Sequence, residues 1–190
     1  MPYLPALRAG LAAQLSVYLR LLLKWNARTN LTAIRDPEQI VQRHFGESLF
    51  AGLHLSPETA TLLDLGSGAG FPGLPIALLR PDIAVTLAES QNKKAAFLRE
   101  AVRTLDLKNV EVWASRAESL PAERQFDTVT LRAVDNMAAA LAAAGPRTSR
   151  EILLLAGTPP ELSDAFALQP SISLPGSRSS YLFRAIRTAD

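Results

Sequence analysis

Residues 62–73 indicate the fold of this 190-residue chain, and they read Leu62-Leu63-Asp64-Leu65-Gly66-Ser67-Gly68-Ala69-Gly70-Phe71-Pro72-Gly73. An apolar run ends beside an acidic residue, glycines follow at alternate positions, and a helical pattern comes next. Glycine is needed where a side chain would clash or where φ is positive. A helix N-terminus offers unpaired N–H groups to a polar or anionic ligand. The segment therefore predicts a strand, a tight turn and a helix start that bind a nucleoside-containing cofactor.

Two acidic residues narrow the choice of cofactor. The glycines depart from the dinucleotide pattern Gly-x-Gly-x-x-Gly, so a purely structural turn is an alternative. Asp64 precedes the glycines, where a nicotinamide-binding strand keeps an apolar residue. Glu89 ends the next apolar run, and an acid there accepts hydrogen bonds from ribose hydroxyls. This pair is typical of S-adenosylmethionine-dependent methyltransferases and disfavours the alternative of a nicotinamide dehydrogenase.

Composition limits the classes of site. With 48% hydrophobic residues, the chain can form one sizeable core in one domain with a helical extension. It has no cysteine, which excludes disulfides and thiolate sites. Its two histidines, His44 and His54, are too few for a zinc or iron centre, so we expect no metal.

The N-terminal sequence and the hydropathy bear on location. Pro2 and Pro5 open the chain and Arg8 interrupts the apolar residues, which is unlike a signal peptide. No run of about twenty uncharged apolar residues could span a membrane. We expect a cytoplasmic monomer without a membrane partner.

Positive charge is concentrated near the N-terminus. Residues 1–50 hold six basic and three acidic residues, a net charge of +3, while the whole chain carries +2. The remainder is therefore −1. Cations that neutralise phosphates favour a nucleic-acid partner. A solvated helix face is the alternative.

Residues 1–57 form a predicted helical extension, for which we expect RNA contact, ahead of a methyltransferase domain at 58–190. Apolar residues recur at spacings of three and four over the first helix: Leu4, Leu7, Leu11, Leu15, Tyr18, Leu22 and Trp25. Asp36 is the expected N-cap of the second helix, with Pro37 at its first position.

From residue 60 onward, strands and helices alternate. Strands are predicted at 61–65, 83–88, 110–113, 126–131 and 152–155, and helices at 74–79, 91–105 and 136–144. Residues 172–186 contain two strand-like runs around Pro175-Gly176, which indicate a hairpin. Residues 158–170 show the least periodicity. The pattern predicts an α/β fold: a doubly wound, mostly parallel, seven-stranded Rossmann-like methyltransferase sheet with an N-terminal helical extension.

Ligands of such sheets bind outside the carboxyl ends of the strands, which gives the candidate cofactor residues. They are Gly66, Gly68, Phe71, Glu89, Ser90, Gln91, Ala117, Glu118 and Arg132. We expect Glu89 to bind ribose, and Phe71 and Ala117 to flank adenine or the sulfonium. Glu118 or nearby backbone would accept from the adenine amino group, unless it caps a turn. Arg132 would bind a carboxylate or phosphate, unless it forms a surface ion pair.

Several motifs resemble one family, that of ribosomal RNA small subunit methyltransferase G, or glucose-inhibited division protein B. The resemblance covers residues 15–135 and rests on Lys24-Trp25-Asn26, residues 29–37, Arg43-His44-Phe45, Glu47-Ser48-Leu49, Phe71-Pro72-Gly73, Ser115-Arg116-Ala117-Glu118 and Arg132-Ala133. It implies methyl transfer from S-adenosylmethionine to N7 of a guanine in the 530 loop of 16S ribosomal RNA, free or in the 30S particle.

The resemblance also implies where cofactor and RNA bind. The family's cofactor contacts fall on the candidate residues above. Its RNA contacts would include Arg28, Asn30, Arg35, Arg43 and His44. Further candidate phosphate contacts are Arg20, Lys24, Lys93, Lys94 and Arg103.

The chain departs from the family at its fifth strand. That strand ends Leu155-Ala156-Gly157, without the lysine that the family places before the glycine. We identify no catalytic base, because guanine N7 is already nucleophilic and needs only to be positioned; a structural role is expected for His44. A small-molecule methyltransferase and a non-catalytic RNA-binding relative are the alternatives.

Overall fold

The computed structural model describes residues 9–188, which form a mixed sheet with helices on both faces. The strands are β1 Thr61–Leu65, β2 Ala84–Ala88, β3 Val110–Trp113, β4 Phe126–Arg132, β5 Thr148–Ala156, β6 Phe166–Leu168, β7 Ile172–Ser173 and β8 Tyr181–Arg187. Their order is β3-β2-β1-β4-β5-β8-β6, with β7 also paired to β8. Strands β1 to β5 are parallel and β8 is antiparallel to β5. The predicted doubly wound sheet is confirmed.

The edge of the sheet corrects the predicted strand count. Residues 9–188 contain eight strands in seven positions, because β6 and β7 both pair with β8 and share its outer side. The predicted hairpin is formed by β7 and β8. Strand β6 lies within the segment predicted to be least periodic, since three residues are too few to show an alternating pattern. Strand β5 also begins four residues earlier than predicted, at Thr148.

The N-terminal region is helical, as predicted. Helix α1 spans Leu11–Asn26, so the predicted stripe residues Leu4 and Leu7 lie outside the described residues. The next helical stretch consists of α2 Pro37–Gln39, a π-helical segment Ile40–Gly46 and α3 Glu47–Leu53. Asp36 Oδ1 accepts a hydrogen bond from Gln39 N at 2.8 Å, which confirms the predicted N-cap.

The remaining helices complete two layers around the sheet. They are α4 Gly73–Leu79, α5 Asn92–Thr104 and α6 Met137–Ala144, with 3₁₀ turns at Ala117–Ser119 and Gly145–Arg147. Apolar residues of α1 and α3 share one buried cluster with α4, α5 and one face of the sheet. The N-terminal helices therefore pack as part of the core. None of the helices within residues 9–188 has the length and hydropathy of a transmembrane segment.

Candidate functional site

The glycine-rich turn follows β1 and lies against the end of β2. The N–H groups of Gly66 and Ser67 both donate to the Ala88 carbonyl at 3.0 Å. Gly66 has φ of +72°, and a Cβ there would meet no atom within 4 Å. The turn thus leaves open space beside exposed backbone, where a ligand can approach.

The side chain of Asp64 lies beneath this turn and stabilises it by hydrogen bonds. Its buried carboxylate accepts hydrogen bonds from Gly73 N at 3.1 Å and Thr130 Oγ1 at 2.8 Å. A Cβ on Gly73 would lie 2.7 Å from Asp64 Oδ2, so only glycine allows this approach. Burial raises the pKa of Asp64 to about 6. Asp64, the acid that disfavours a nicotinamide dehydrogenase, is therefore hydrogen-bonded to the first residue of α4.

Glu89 faces the turn from the end of β2. Its Oε2 accepts from Gly68 N at 2.9 Å, and its Oε1 accepts from Gln91 N at 2.7 Å. A carboxylate has about four acceptor positions, so these two bonds leave capacity for hydroxyl donors. Ser90 and Gln91 are exposed beside it. These two bonds fix the Glu89 carboxylate beside the glycine-rich turn, and its ribose contact stays a prediction.

The segment after β3 adds the next wall. Glu89 N donates to the Trp113 carbonyl at 3.0 Å, so β3 ends beside Glu89. Ala117 is buried at the start of a 3₁₀ turn, and the Glu118 side chain is exposed. The structure brings the turn, Glu89 and this segment to one edge of the sheet. Because β1, β2 and β3 are parallel neighbours, this is the edge at which ligands of doubly wound folds bind.

Arg132 faces the N-terminal helices. Its guanidinium donates to Glu47 Oε2 at 2.8 Å, to the Arg43 carbonyl at 3.0 Å and to His44 Nδ1 at 2.9 Å. The side chain of Arg132 is only 12% exposed and that of Glu47 only 4%. The ion pair considered as an alternative for Arg132 is therefore present, and it is buried.

His44 is neutral and fully engaged. Arginine cannot accept a hydrogen bond, so Nδ1 is the acceptor from Arg132 and Nε2–H donates to Thr32 Oγ1, 2.7 Å away. Burial, together with the charges of Arg132 and Arg43, lowers the pKa of His44 to about 3. The ring also stacks on Phe71, with centroids 4.8 Å apart. These contacts agree with a structural role for His44, while its predicted RNA contact stays a prediction.

Phe71 lies within an aromatic cluster rather than on an open wall. Besides His44, it stacks on Tyr18 at 5.4 Å and packs against Phe45. Burial raises the pKa of Tyr18 well above its usual value, and its hydroxyl donates a hydrogen bond to the Ala69 carbonyl. Sequence reasoning assigned Tyr18 only to the apolar stripe of α1. The available signal was its hydroxyl, which no other residue of that stripe carries.

The candidate RNA residues lie on two connected stretches. Asn26 Oδ1 accepts from Leu31 N and Thr32 N, which shapes the loop after α1. On that loop, Asn30 Oδ1 accepts from Arg35 Nη2 at 3.0 Å. The side chains of Arg28, Asn30, Arg35 and Arg43 are exposed. The hydrogen bond that His44 donates to Thr32 connects this loop to the π-helical segment. Within residues 9–188 no acidic or histidine cluster could hold a metal ion.

Known proteins resemble the chain in sequence. The profile described as rRNA small subunit methyltransferase G matches residues 11–164. A ribosomal RNA small subunit methyltransferase G from Xanthomonas euvesicatoria pv. vesicatoria (strain 85-10) is 47% identical over 140 residues, 74% of this chain and 65% of that protein. A protein of the same name from Roseiflexus sp. (strain RS-1) is 52% identical over 118 residues, 60% of this chain and 50% of that protein. The chain spans less than two thirds of these curated relatives.

Solved structures resemble it in fold. Magnesium protoporphyrin IX methyltransferase from Synechocystis PCC 6803, solved with bound SAM, superposes with a TM-score of 0.61 and 15% identity. The match covers 90% of this chain and 97% of that one. At so low a sequence identity, the similarity shows only that the two proteins share a fold.

Asp64 should make stability fall as pH rises. The unfolded carboxyl ionises near pKa 3.8, whereas the folded one keeps its proton to about pH 6. The folded state binds more protons between these values, so the free energy of unfolding should drop by about 3 kcal/mol between about pH 4 and about pH 7, relative to Asp64→Asn. Urea denaturation of both proteins at several pH values measures this difference, and parallel pH profiles would contradict it.

The buried Arg132–Glu47 pair should show strong energetic coupling. Glu47→Gln removes the charged partner of Arg132, and Arg132→Gln leaves Glu47 only its 3.7 Å ion pair with the exposed Arg43, so each change should cost about 3 kcal/mol. The double variant should lose less than the sum, by about 1–3 kcal/mol. The exposed Asp106–Lys108 pair is the control, for which we expect almost no coupling. Additive losses at Arg132 and Glu47 in urea denaturation would refute the assigned pairing.

Proposed function

The chain belongs to the rRNA small subunit methyltransferase G family, and on this premise we propose that it methylates small-subunit ribosomal RNA with S-adenosylmethionine. The target we propose is N7 of a guanine in the 530 loop of 16S ribosomal RNA. The observation that carries the proposal is the Glu89 carboxylate, held by Gly68 N and Gln91 N beside an open glycine turn.

The cofactor would lie across the ends of β1, β2 and β3. Glu89 has acceptor capacity for the ribose hydroxyls, and the backbone at Gly66 and Gly68 allows close approach. Adenine would lie against the 3₁₀ turn that begins at the buried Ala117, and the exposed Glu118 would offer an acceptor for its amino group. The Synechocystis methyltransferase, solved with bound SAM, superposes on this chain with a TM-score of 0.61 and supports the assignment by analogy of fold.

Methyl transfer to guanine N7 requires positioning rather than proton removal. N7 has a free lone pair and carries no proton, and the sulfonium methyl is already activated. Alignment of nucleophile, methyl carbon and sulfur is then the main task of the site. Both nitrogens of His44 have partners, Thr32 and Arg132, so this residue has no free nitrogen to act as a base. This agrees with a reaction without a general base.

The N-terminal helices provide the surface we propose for RNA. Arg28, Arg35 and Arg43 are exposed there, and Arg132 joins this region to the end of β4. Phosphates would bind these arginines, while the target guanine, unpaired or flipped, would reach the carboxyl ends of the strands. Strand β5 ends at Ala156, without the lysine that the resemblance implies there. We also propose that the chain acts on ribosomal RNA as a cytoplasmic monomer.

Radiolabelled S-adenosylmethionine tests the proposal. The purified protein is incubated with 30S particles and with 16S ribosomal RNA, both lacking the modification, and the labelled nucleotide is mapped. We expect label at N7 of a single guanine. Gly66→Asp should reduce transfer by about 100-fold or more, because it places a charged side chain in the cofactor's space.

Folding of the Gly66→Asp variant is checked by urea denaturation, so that lost transfer reports the site. Cofactor binding without transfer to either RNA would reject the proposal. Transfer to a small molecule would then identify a small-molecule methyltransferase. Salt-sensitive RNA binding without any transfer would identify a non-catalytic RNA-binding relative.

A further inference from the structure

The segment between β3 and β4, residues 114–125, has little regular structure. Its only helical turn is Ala117–Ser119, although it carries the residues proposed to bind adenine. Buried backbone carbonyls outside helices and strands need other donors. Trp113 Nε1 and Ser119 Oγ both donate to the Arg116 carbonyl, which accounts for the first part of the segment.

Arg147 supplies the donors for the rest. It lies in the 3₁₀ turn before β5 and is 8% exposed. Its Nη2 donates to Leu120 O at 2.6 Å and Glu118 O at 3.3 Å. Its Nη1 donates to Pro121 O and, at 3.4 Å, to Arg124 O. One guanidinium thus binds four carbonyls spread over seven residues of this segment.

The charge of Arg147 is balanced by these carbonyls. Within residues 9–188, none of the ion pairs includes Arg147. A guanidinium stays protonated in proteins and has five N–H donors in a plane. A buried charge of this kind is tolerated only where dipoles point at it. The arrangement therefore constrains both the arginine and the segment that surrounds it.

We propose that Arg147 is a positioning residue for the adenine end of the cofactor site, an inference that rests on the proposed function. The bond to Glu118 O acts on the same 3₁₀ turn that presents Ala117 and the Glu118 side chain. The bonds to Leu120, Pro121 and Arg124 hold the return of the segment towards β4. Loss of the guanidinium removes four bonds at once. The turn then keeps its internal bonds from Ser119 N to Arg116 O and from Leu120 N to Ala117 O but loses its attachment to the residues before β5.

Arg187 provides a matched control. It donates to Thr148 O at 2.8 Å and Gly145 O at 2.7 Å, and it lies over the ring of Phe166. It too is an arginine that binds backbone carbonyls near the start of β5. Its two acceptors lie on either side of Arg147, but it forms none of the bonds to residues 118–124. Arg187→Gln therefore reports the loss of stability around the turn that carries Arg147 while the bonds from Arg147 to the segment are kept.

The test measures the affinity for S-adenosylhomocysteine by calorimetry in Arg147→Gln, Arg147→Lys and Arg187→Gln. We expect Arg147→Gln to raise the dissociation constant about tenfold or more. Arg147→Lys should fall between this variant and the wild type, because an ammonium cannot span four carbonyls. Arg187→Gln should stay within about twofold of the wild type despite a lower unfolding temperature.

Kinetics separate positioning from general damage. In Arg147→Gln the KM for S-adenosylmethionine should rise while kcat at saturating cofactor is retained, because adenine is remote from the reacting methyl group. Wild-type affinity in both Arg147 variants would overturn the inference. If Arg147→Gln does not fold, Arg147→Lys alone decides, and wild-type affinity there has the same meaning. Absence of binding by the wild-type protein would instead refute the proposed function.

Discussion

The buried carboxylate of Asp64 is the interaction on which the rest of the site depends. It lies beneath the glycine turn and binds the first N–H of α4 and the hydroxyl of Thr130 on β4. One side chain thereby connects β1, β4 and α4 at the edge of the sheet where the turn begins. A carboxylate without these donors would be unfavourable at such depth, so the turn, the helix start and the neighbouring strand are constrained together.

From this point the site extends in two directions. Towards β2 and β3, the turn is bound by Glu89, and the segment after β3 is bound by Arg147. Towards the N-terminus, Phe71 packs against Tyr18 and His44, and Arg132 binds Glu47. The first direction offers acceptors and apolar surface for a nucleoside. The second joins an exposed helical region that carries Arg28, Arg35 and Arg43 to the same edge of the sheet, which is the arrangement that the proposed function requires.

The sequence predicted those features that depend on neighbouring residues. The strand before the glycines, the acid ending β2 and the N-cap at Asp36 each follow from local spacing and backbone chemistry. The partners of Arg132 did not, because Glu47 lies 85 residues away and nothing in either segment marks the pair. Arg147 lies 29 residues from Glu118, and its partners are carbonyls, which every residue has. Strand β6 is too short to show a period. Features that depend on neighbouring residues could therefore be predicted from the sequence. Polar contacts between distant residues could be identified only in the folded structure.

The most direct test is a crystal structure of the chain with S-adenosylhomocysteine. We expect both ribose hydroxyls to lie within hydrogen-bond distance of Glu89, Glu89 to keep its bond to Gly68 N, and adenine to lie against the turn at Ala117 and Glu118. A ligand bound elsewhere, or a ribose that contacts other residues while Glu89 faces only backbone, would contradict this assignment.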